Sequence, residues 1–344
     1  MPQCRDVVVV GASAGGVESL RALMTVLPVD LPAAVLVVLH MPTGATSALP
    51  AILRRAGQLP VQAASDGEPL RHGHVYTSVP DHHLLVVDGV MTLSRGATES
   101  GHRPAVDALF RSAARVVGPR AIGVVLSGTL DDGTAGLMSI VARGGAAVVQ
   151  APSDAIYPGM PGNALREVPT AHVAPLARMG ELLAALTREP LDGQSPAAMS
   201  RSDLMEAAIA EHGLDEGGVI MDSIGEPSGF TCPDCDGSLL TVPHTHRYRC
   251  RVGHAWTLEA LAGQKDAELE KALWTALRTL DEKISLNRRM EETAVKRGSG
   301  MLAQRYAASV DEAAHAANIL REFLRADVLP QERADVLRQE RTVP

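Results

Sequence analysis

The stretch Val7-Val8-Val9-Val10-Gly11-Ala12-Ser13-Ala14-Gly15-Gly16 constrains this chain more than any other. Four consecutive valines favour an extended strand. With no polar alternation, that strand suits a parallel sheet covered on both faces. The run then breaks into small residues, which permit a tight turn and close backbone approach. Val17, Leu20, Leu23, Met24 and Leu27 follow at helical spacing, and Pro28 ends the pattern. A strand, a turn holding a single serine and a helix are therefore expected before Pro28.

The alternation continues. Further strands are expected near residues 34–39, 121–126 and 146–150. Helices are expected near residues 47–56, 104–113, 134–142 and 180–186. Between residues 61 and 93 the turn signals Asp66-Gly67, His72-Gly73, Pro80-Asp81 and Asp88-Gly89 indicate an inserted or edge antiparallel segment. Residues 1–188 thus read as an α/β unit with a doubly wound, mostly parallel sheet. Aromatics make up only 3% of the chain, so its core must be built from Val, Leu, Ala and Ile. The net charge of −8 argues against nucleic acid as a partner. No apolar run approaches the ~20 residues that span a bilayer, and no basic-plus-apolar leader is present. Cys4 stands alone, while Cys232, Cys235 and Cys250 cluster, which fits a reducing, cytoplasmic setting and a metal site better than disulfides.

Open parallel sheets bind ligands beyond the carboxyl ends of their strands. Three such ends carry Ser13, His40 and the pair Asp131-Asp132. A serine hydroxyl needs a base, imidazole is a base at neutral pH, and a carboxylate can fix the imidazole tautomer. Each residue also has a plainer reading. Ser13 can be a spacer in a turn, and Asp132 can be a helix N-cap. A dinucleotide site would want Gly-x-Gly-x-x-Gly and an acid closing the second strand. Here Ser13 takes the third position and His40 closes that strand, and both count against it. Gly11-Ala12-Ser13-Ala14-Gly15 matches Gly-x-Ser-x-Gly, but the order Ser, His, Asp differs from that of α/β-hydrolases. His102, Arg103 and Asp107 read as a helix start with a solvated arginine and a first-turn acid, with a weaker claim on a substrate mouth. His82 and His83 read as surface residues.

Residues 189–228 read as a linker with a weak helix around Ser202 to Glu211. Residues 229–257 carry Cys232-Pro233-Asp234-Cys235 and Cys250-Arg251-Val252-Gly253-His254. Two tight pairs at this spacing suggest a zinc ribbon, with Cys232, Cys235, Cys250 and His254 closing a structural tetrahedral Zn²⁺ site. His244 and His246 are alternative fourth ligands that fit the spacing less well. In residues 258–328, Leu269, Leu273, Leu277, Leu280 and Ile284 form one seam. Leu302, Tyr306, Val310, Ala313, Ala317, Leu320 and Leu324 form another. Gly298-Ser299-Gly300 separates them, so an antiparallel helical hairpin is expected. Its helices pack on each other, and such a seam also suits dimerisation or docking on a helical partner. Residues 329–344 read as a loose charged tail.

Residues 5 to about 188 resemble the catalytic domain of the bacterial chemotaxis protein-glutamate methylesterases, the CheB family. The resemblance rests on Gly11 to Gly16, Leu39-His40-Met41-Pro42, Gly101-His102-Arg103-Pro104-Ala105-Val106-Asp107, Leu126-Ser127-Gly128 through Asp132-Gly133, and Gly159-Met160-Pro161. It implies hydrolysis of glutamate methyl esters on a methylated chemoreceptor or related signalling protein, with glutamine deamidation as a related activity and no cofactor for catalysis. The implied catalytic residues are Ser13, His40 and Asp132, the family aspartate being the one directly before a glycine. Backbone amides near Ser13 and His40, and in the Gly128-Thr129 turn, are the expected oxyanion donors. Thr129-Leu130 stands where the family usually has Met-Gly, and Ala14 replaces a common threonine. The first strand starts within six residues of Met1, so a standalone form without the family's phosphorylated receiver domain is expected. Ribbon plus hairpin resembles an extension of some standalone methylesterase-like proteins. The competing reading is a non-catalytic signalling scaffold that binds partners through its ribbon and hairpin.

Overall fold

In this computed structural model the described residues are 3–340 without 43, 45–46, 192–197, 213–224, 244 and 246; for 326–340 only the backbone is described. The alternative ligands His244 and His246 therefore lie outside the described residues.

The four valines open strand β1 (Val7–Ala12), and α1 (Gly16–Val26) follows the turn. Then come β2 (Ala34–Leu39), α2 (Leu49–Ala56), β3 (Val61–Ala63) and β4 (Val75–Thr77). After β5 (His83–Val87) and β6 (Val90–Ser94) the chain forms α3 (Val106–Val117), β7 (Ala121–Val125), α4 (Thr134–Ala142) and β8 (Ala146–Gln150). Helix α5 (Gly159–Glu167), β9 (His172–Ala174) and α6 (Leu176–Arg188) complete the unit. Seven strands pair in the order β3-β4-β2-β1-β7-β8-β9, all parallel. Strand β1 is central, with Val7 opposite Ala34 on one side and Ala121 on the other.

Strand geometry sends successive side chains to opposite faces. Val7 and Val9 join Leu109, Phe110 and Ala113 of α3, with α4 and α5 on the same face. Val8 and Val10 join Leu20 and Leu23 of α1, with α2 and α6. The connection leaving β1 runs toward β2, and the one leaving β7 runs toward β8. The two connections therefore leave in opposite directions beyond the carboxyl ends of β1 and β7, the crevice where open α/β sheets bind ligands.

The segment between residues 61 and 93 departs from the antiparallel expectation. Strands β3 and β4 extend the main sheet in parallel, with Val75 opposite both Val61 and Val35. Val75, Tyr76 and Thr77 of β4 are fully buried, and β3 forms the edge of the sheet, so the stretch lies at an edge as expected but is parallel. Only β5 and β6 form an antiparallel hairpin, packed against α3 through Leu85, Ala105 and Ala108. His83 is not a surface residue. It is fully buried, accepting the Ala105 N–H at Nδ1 (3.2 Å) and bonding the Ala97 carbonyl through Nε2 (3.0 Å). Strand alternation turns it inward beside Leu85.

The expected linker contains α7 (Arg201–His212), whose Glu206, Ala207, Ile209 and Ala210 are buried. It is fastened by Ser94 Oγ–H donating to the Ala210 carbonyl at 2.5 Å. Four antiparallel strands follow: β10 (Pro227–Thr231), β11 (Ser238–Thr241), β12 (Arg247–Cys250) and β13 (Ala255–Thr257). Everything up to Leu261 is one compact unit, and the chain from Ala262 onward is a second. Helix α8 (Leu258–Lys296) begins in the first unit, and its remainder with α9 (Gly300–Glu340) makes the second a hairpin. Leu277, Ile284, Val310, Ala313, Ala317 and Leu324 form its seam. Helix α9 runs on past residue 328, where a loose tail was expected. The added residues include Ala334, Leu337, Arg338, Gln339 and Glu340, all good helix formers.

A Cβ on Gly11 would lie 2.1 Å from Val106 Cγ1, so glycine lets α3 lie directly on β1. Replacing Gly11 by Ala is expected to lower stability by about 1–3 kcal/mol, read from urea or thermal melts; an unchanged melt would contradict this contact.

Candidate active site

Ser13 follows the last residue of β1. Its N–H donates to the Ser127 carbonyl (3.0 Å), and the Gly16 N–H donates back to the Ser13 carbonyl (2.9 Å). Gly15 takes a left-handed conformation at φ +67°, and a Cβ there would lie 2.9 Å from Ile156 Cβ. Both conditions call for glycine. His40 follows β2 and continues the ladder, its N–H donating to the Ala12 carbonyl at 3.2 Å. Asp132 lies in the loop from β7 to α4. The crevice thus collects three residues from three strand ends.

Ser13 Oγ is 3.0 Å from His40 Nδ1, and His40 Nε2 is 2.7 Å from Asp132 Oδ2. With Asp132 ionised, Nε2 carries the proton and donates to it. Nδ1 is left as the acceptor for the serine hydroxyl. The ring presents Nδ1 to the serine, the reverse of the chymotrypsin arrangement.

The Asp132 side chain caps a helix, though not the one that follows it. Its Oδ2 also accepts the Val106 N–H (2.7 Å), and its Oδ1 accepts the Asp107 N–H (2.9 Å), both in the first turn of α3. Asp107 returns the arrangement, its Oδ1 accepting the Gly136 N–H of α4 at 2.7 Å. Burial opposes ionisation of Asp132, but the hydrogen bond and charge of His40 and the two amides hold its carboxyl down at about 2. Neighbouring Asp131 is pushed up to about 6 by burial and accepts the Thr257 hydroxyl.

His102 stacks on His40 with ring centroids 3.7 Å apart and planes 15° from parallel. Arg103 is not a freely solvated arginine: its Nε and NH2 both donate to Asp81 Oδ1 (3.0 and 2.6 Å). Asp107 is buried, unlike an ordinary first-turn acid. Nothing in its spacing marked it, because capping partners lie across the fold. Exposed Leu130, Ile156 and Tyr157 give the loops around Ser13 apolar side chains. The Ser13 amide is committed to Ser127, and the Gly128 amide donates to the Tyr157 carbonyl at 3.0 Å. Gly128 is therefore not an oxyanion donor. Among the described residues, the Ala14 amide makes no internal hydrogen bond and lies just ahead of α1.

Cys232, Cys235, Cys250 and His254 converge, their donor atoms all within 4.8 Å of one another. Cys235 and Cys250 sulfurs are 3.6 Å apart, and His254 Nδ1 is 3.5 Å from Cys250 and 3.8 Å from Cys232. A tetrahedron with ~2.3 Å metal–sulfur bonds has edges of about 3.7 Å, so the donor set fits such an ion. No helix among the described residues is long and apolar enough to cross a membrane.

Burial, followed by the charge of His40, brings His102 down to about 4 although Asp132 opposes the shift. The folded value lies below the unfolded ~6.5, so the contribution to stability is complete above that pH and is lost as pH falls toward 4. An NMR titration is expected to place the His102 midpoint near 4, and His102→Phe to weaken the stability loss over that window. A midpoint near 6.5 would contradict the stacked, buried ring.

A profile of the family described as CheB methylesterase matches residues 8–183. The chain is 38% identical over 186 residues to protein-glutamate methylesterase/protein-glutamine glutaminase 1 of Xanthomonas campestris, covering 53% of this chain and 52% of that protein. It is 36% identical over 192 residues to the corresponding protein 2 of Methanosarcina mazei, covering 54% and 52%. The crystal structure of the Thermotoga maritima CheB methylesterase catalytic domain superposes with a TM-score of 0.51 at 33% identity, covering 54% of this chain and all of that one. The chain spans about half the length of the curated relatives it matches. On the matched residues, the parallel sheet and its likeness to a solved catalytic domain, the chain belongs to the CheB methylesterase family.

Proposed function

We propose that the protein is a protein-glutamate methylesterase, with glutamine deamidation as a related activity, acting on a methylated chemoreceptor-type protein. The observation that carries this reading is the hydrogen-bonded line from Ser13 through His40 to Asp132. Nδ1 of His40 takes the hydroxyl proton as Ser13 Oγ attacks the ester carbonyl. Asp132 holds the tautomer and stabilises the imidazolium that forms. The Ala14 amide, at the positive end of α1, is the favoured donor to the developing oxyanion. Collapse of the intermediate returns the proton to the leaving methoxide, and methanol departs. Water then repeats the sequence on the acyl-enzyme and frees the glutamate. A glutamine side chain follows the same path with ammonia as the leaving group. The four donors of the Cys/His cluster are read as a closed structural zinc site, because none is left for substrate. The thiols fit a reducing, cytoplasmic setting. The hairpin is read as a docking or dimerisation element, on the support of exposed Trp274, Leu286 and Phe323.

Ser13→Ala is expected to lower methanol release from methylated receptor by about 10⁴-fold or more and to abolish labelling by a serine-directed phosphonate. Undiminished release would sink the mechanism, and an inactive, unlabelled native protein would favour the scaffold reading. Elemental analysis is expected to find about one zinc per chain. Full retention after joint Cys232→Ser and Cys250→Ser replacement would refute the metal site.

A further inference from the structure

Six charged side chains lie buried behind the proposed triad: Glu99, Asp107, Arg111, Glu206, Arg247 and Arg249, none more than 5% exposed. Two of them come from β12, far along the chain. Arg247 NH1 donates to Asp107 Oδ2 at 3.1 Å, and its NH2 donates to Glu99 Oε2 at 2.9 Å. Arg249 donates to Glu99 (2.9 Å) and Glu206 (3.1 Å). Among the described residues it makes no bond to Asp107. Arg111 NH1 is a more distant neighbour of Asp107, at 3.9 Å.

Asp107 is the partner through which α4 is tied to α3, and its own N–H is one of the donors to Asp132. We propose that Arg247 is a positioning residue for the triad: by fixing the Asp107 carboxylate it keeps the first turns of α3 and α4 locked, and so holds Asp132 against His40. The inference rests on the serine-esterase reading. A buried carboxylate left without a partner tends to take up a proton and shift. Burial pushes Asp107 up to about 7, and Arg247 is the foremost influence opposing it.

The surroundings of Arg247 extend the link. Strand β13 pairs with β12, setting Arg247 opposite Thr257. The Thr257 hydroxyl donates to Asp131 (2.8 Å), beside the triad acid. The Ala255 N–H donates to the Thr98 carbonyl, and the Ser100 N–H to the Ala255 carbonyl. That segment leads to His102, which stacks on His40. Cys250 ends β12 and His254 precedes β13, with the Cys250 N–H donating to the His254 carbonyl at 3.0 Å. The Cys/His knuckle therefore sets the same strand pair that places Arg247.

The test compares full-length Arg247→Met, Arg247→Lys and Arg249→Met, each checked for folding and metal content. Methanol release gives kcat and KM, and NMR without substrate follows the proton that His40 Nε2 donates to Asp132. Arg247→Met is expected to lower kcat roughly 10- to 100-fold with KM changed less than about twofold, and to move or broaden that proton's resonance because Asp132 no longer faces His40. Arg247→Lys recovers part of both. Arg249→Met lowers stability but keeps kcat and the resonance. Native kcat in Arg247→Met, or equal losses in the Met variants with the resonance unmoved, would overturn the proposal. If Arg247→Met does not fold, Asp107→Asn removes the same ion pair, and an unmoved resonance there overturns it as well. A native protein that releases no methanol defeats the esterase reading instead, while the His40–Asp132 proton resonance still decides the role of Arg247.

Discussion

The Asp132 carboxylate has three donors, and the placement of its surroundings follows from that. Two are backbone N–H groups opening α3, and the third is the His40 ring. A helix start has unpaired amides and a partial positive charge, so an anion there is stabilised. The same anion sets which nitrogen of His40 holds the proton. Stability of the α3 end and the tautomer of His40 thus depend on one pair of oxygens. Asp107 does for α4 what Asp132 does for α3. The start of α3 is satisfied by Asp132 from the loop leading to α4, and an amide near the start of α4 by Asp107 from the first turn of α3, so the two starts are tied together.

Behind this exchange lies a costly device. Taking an ion out of water costs several kcal/mol even after relaxation, and attraction offsets that only when partners are close and shared. Here the charges balance, three arginines against three acids, and the acids are shared. Glu99 accepts from Arg111, Arg247 and Arg249, and Glu206 lies within ion-pair distance of the same three. Such a cluster adds little stability over an apolar core of equal volume. It does penalise misdocking, because any displaced member leaves a buried charge unmatched.

Much of this was legible in the chain. The valine run fixed a strand covered on both faces, and Ser13, His40 and Asp132, read at strand ends, are brought together by the fold. The convergence of Cys232, Cys235, Cys250 and His254 was legible from spacing, since residues on tight turns close in sequence meet locally. What was not legible is long-range. Asp132 read as a cap for the helix after it, whereas it caps one that begins 26 residues earlier at Val106. His83 read as surface because a Pro-Asp turn precedes it, and only the packing of β5 on α3 buries it. One signal was available and unused. Arg247 and Arg249 stand two apart in a strand, hence on one face. Paired arginines facing inward require buried acids opposite them. Glu99 and Glu206 could not have been named without the fold, because each comes from a different part of the chain.

The insertion of Arg247 and Arg249 among Glu99, Asp107 and Glu206 bears on how such a protein can be cut, fused or rearranged. A module joined only by a tether can be lost or exchanged with little consequence for its neighbour. A module that supplies two ions to another's interior cannot, since its removal strands buried carboxylates and the Arg111 guanidinium without their counter-charges. The sequence positions between residues 188 and 247 look like a seam between independent parts. In this chain buried ion pairs cross that seam, so the four-stranded sheet and the α/β unit are not independent parts here.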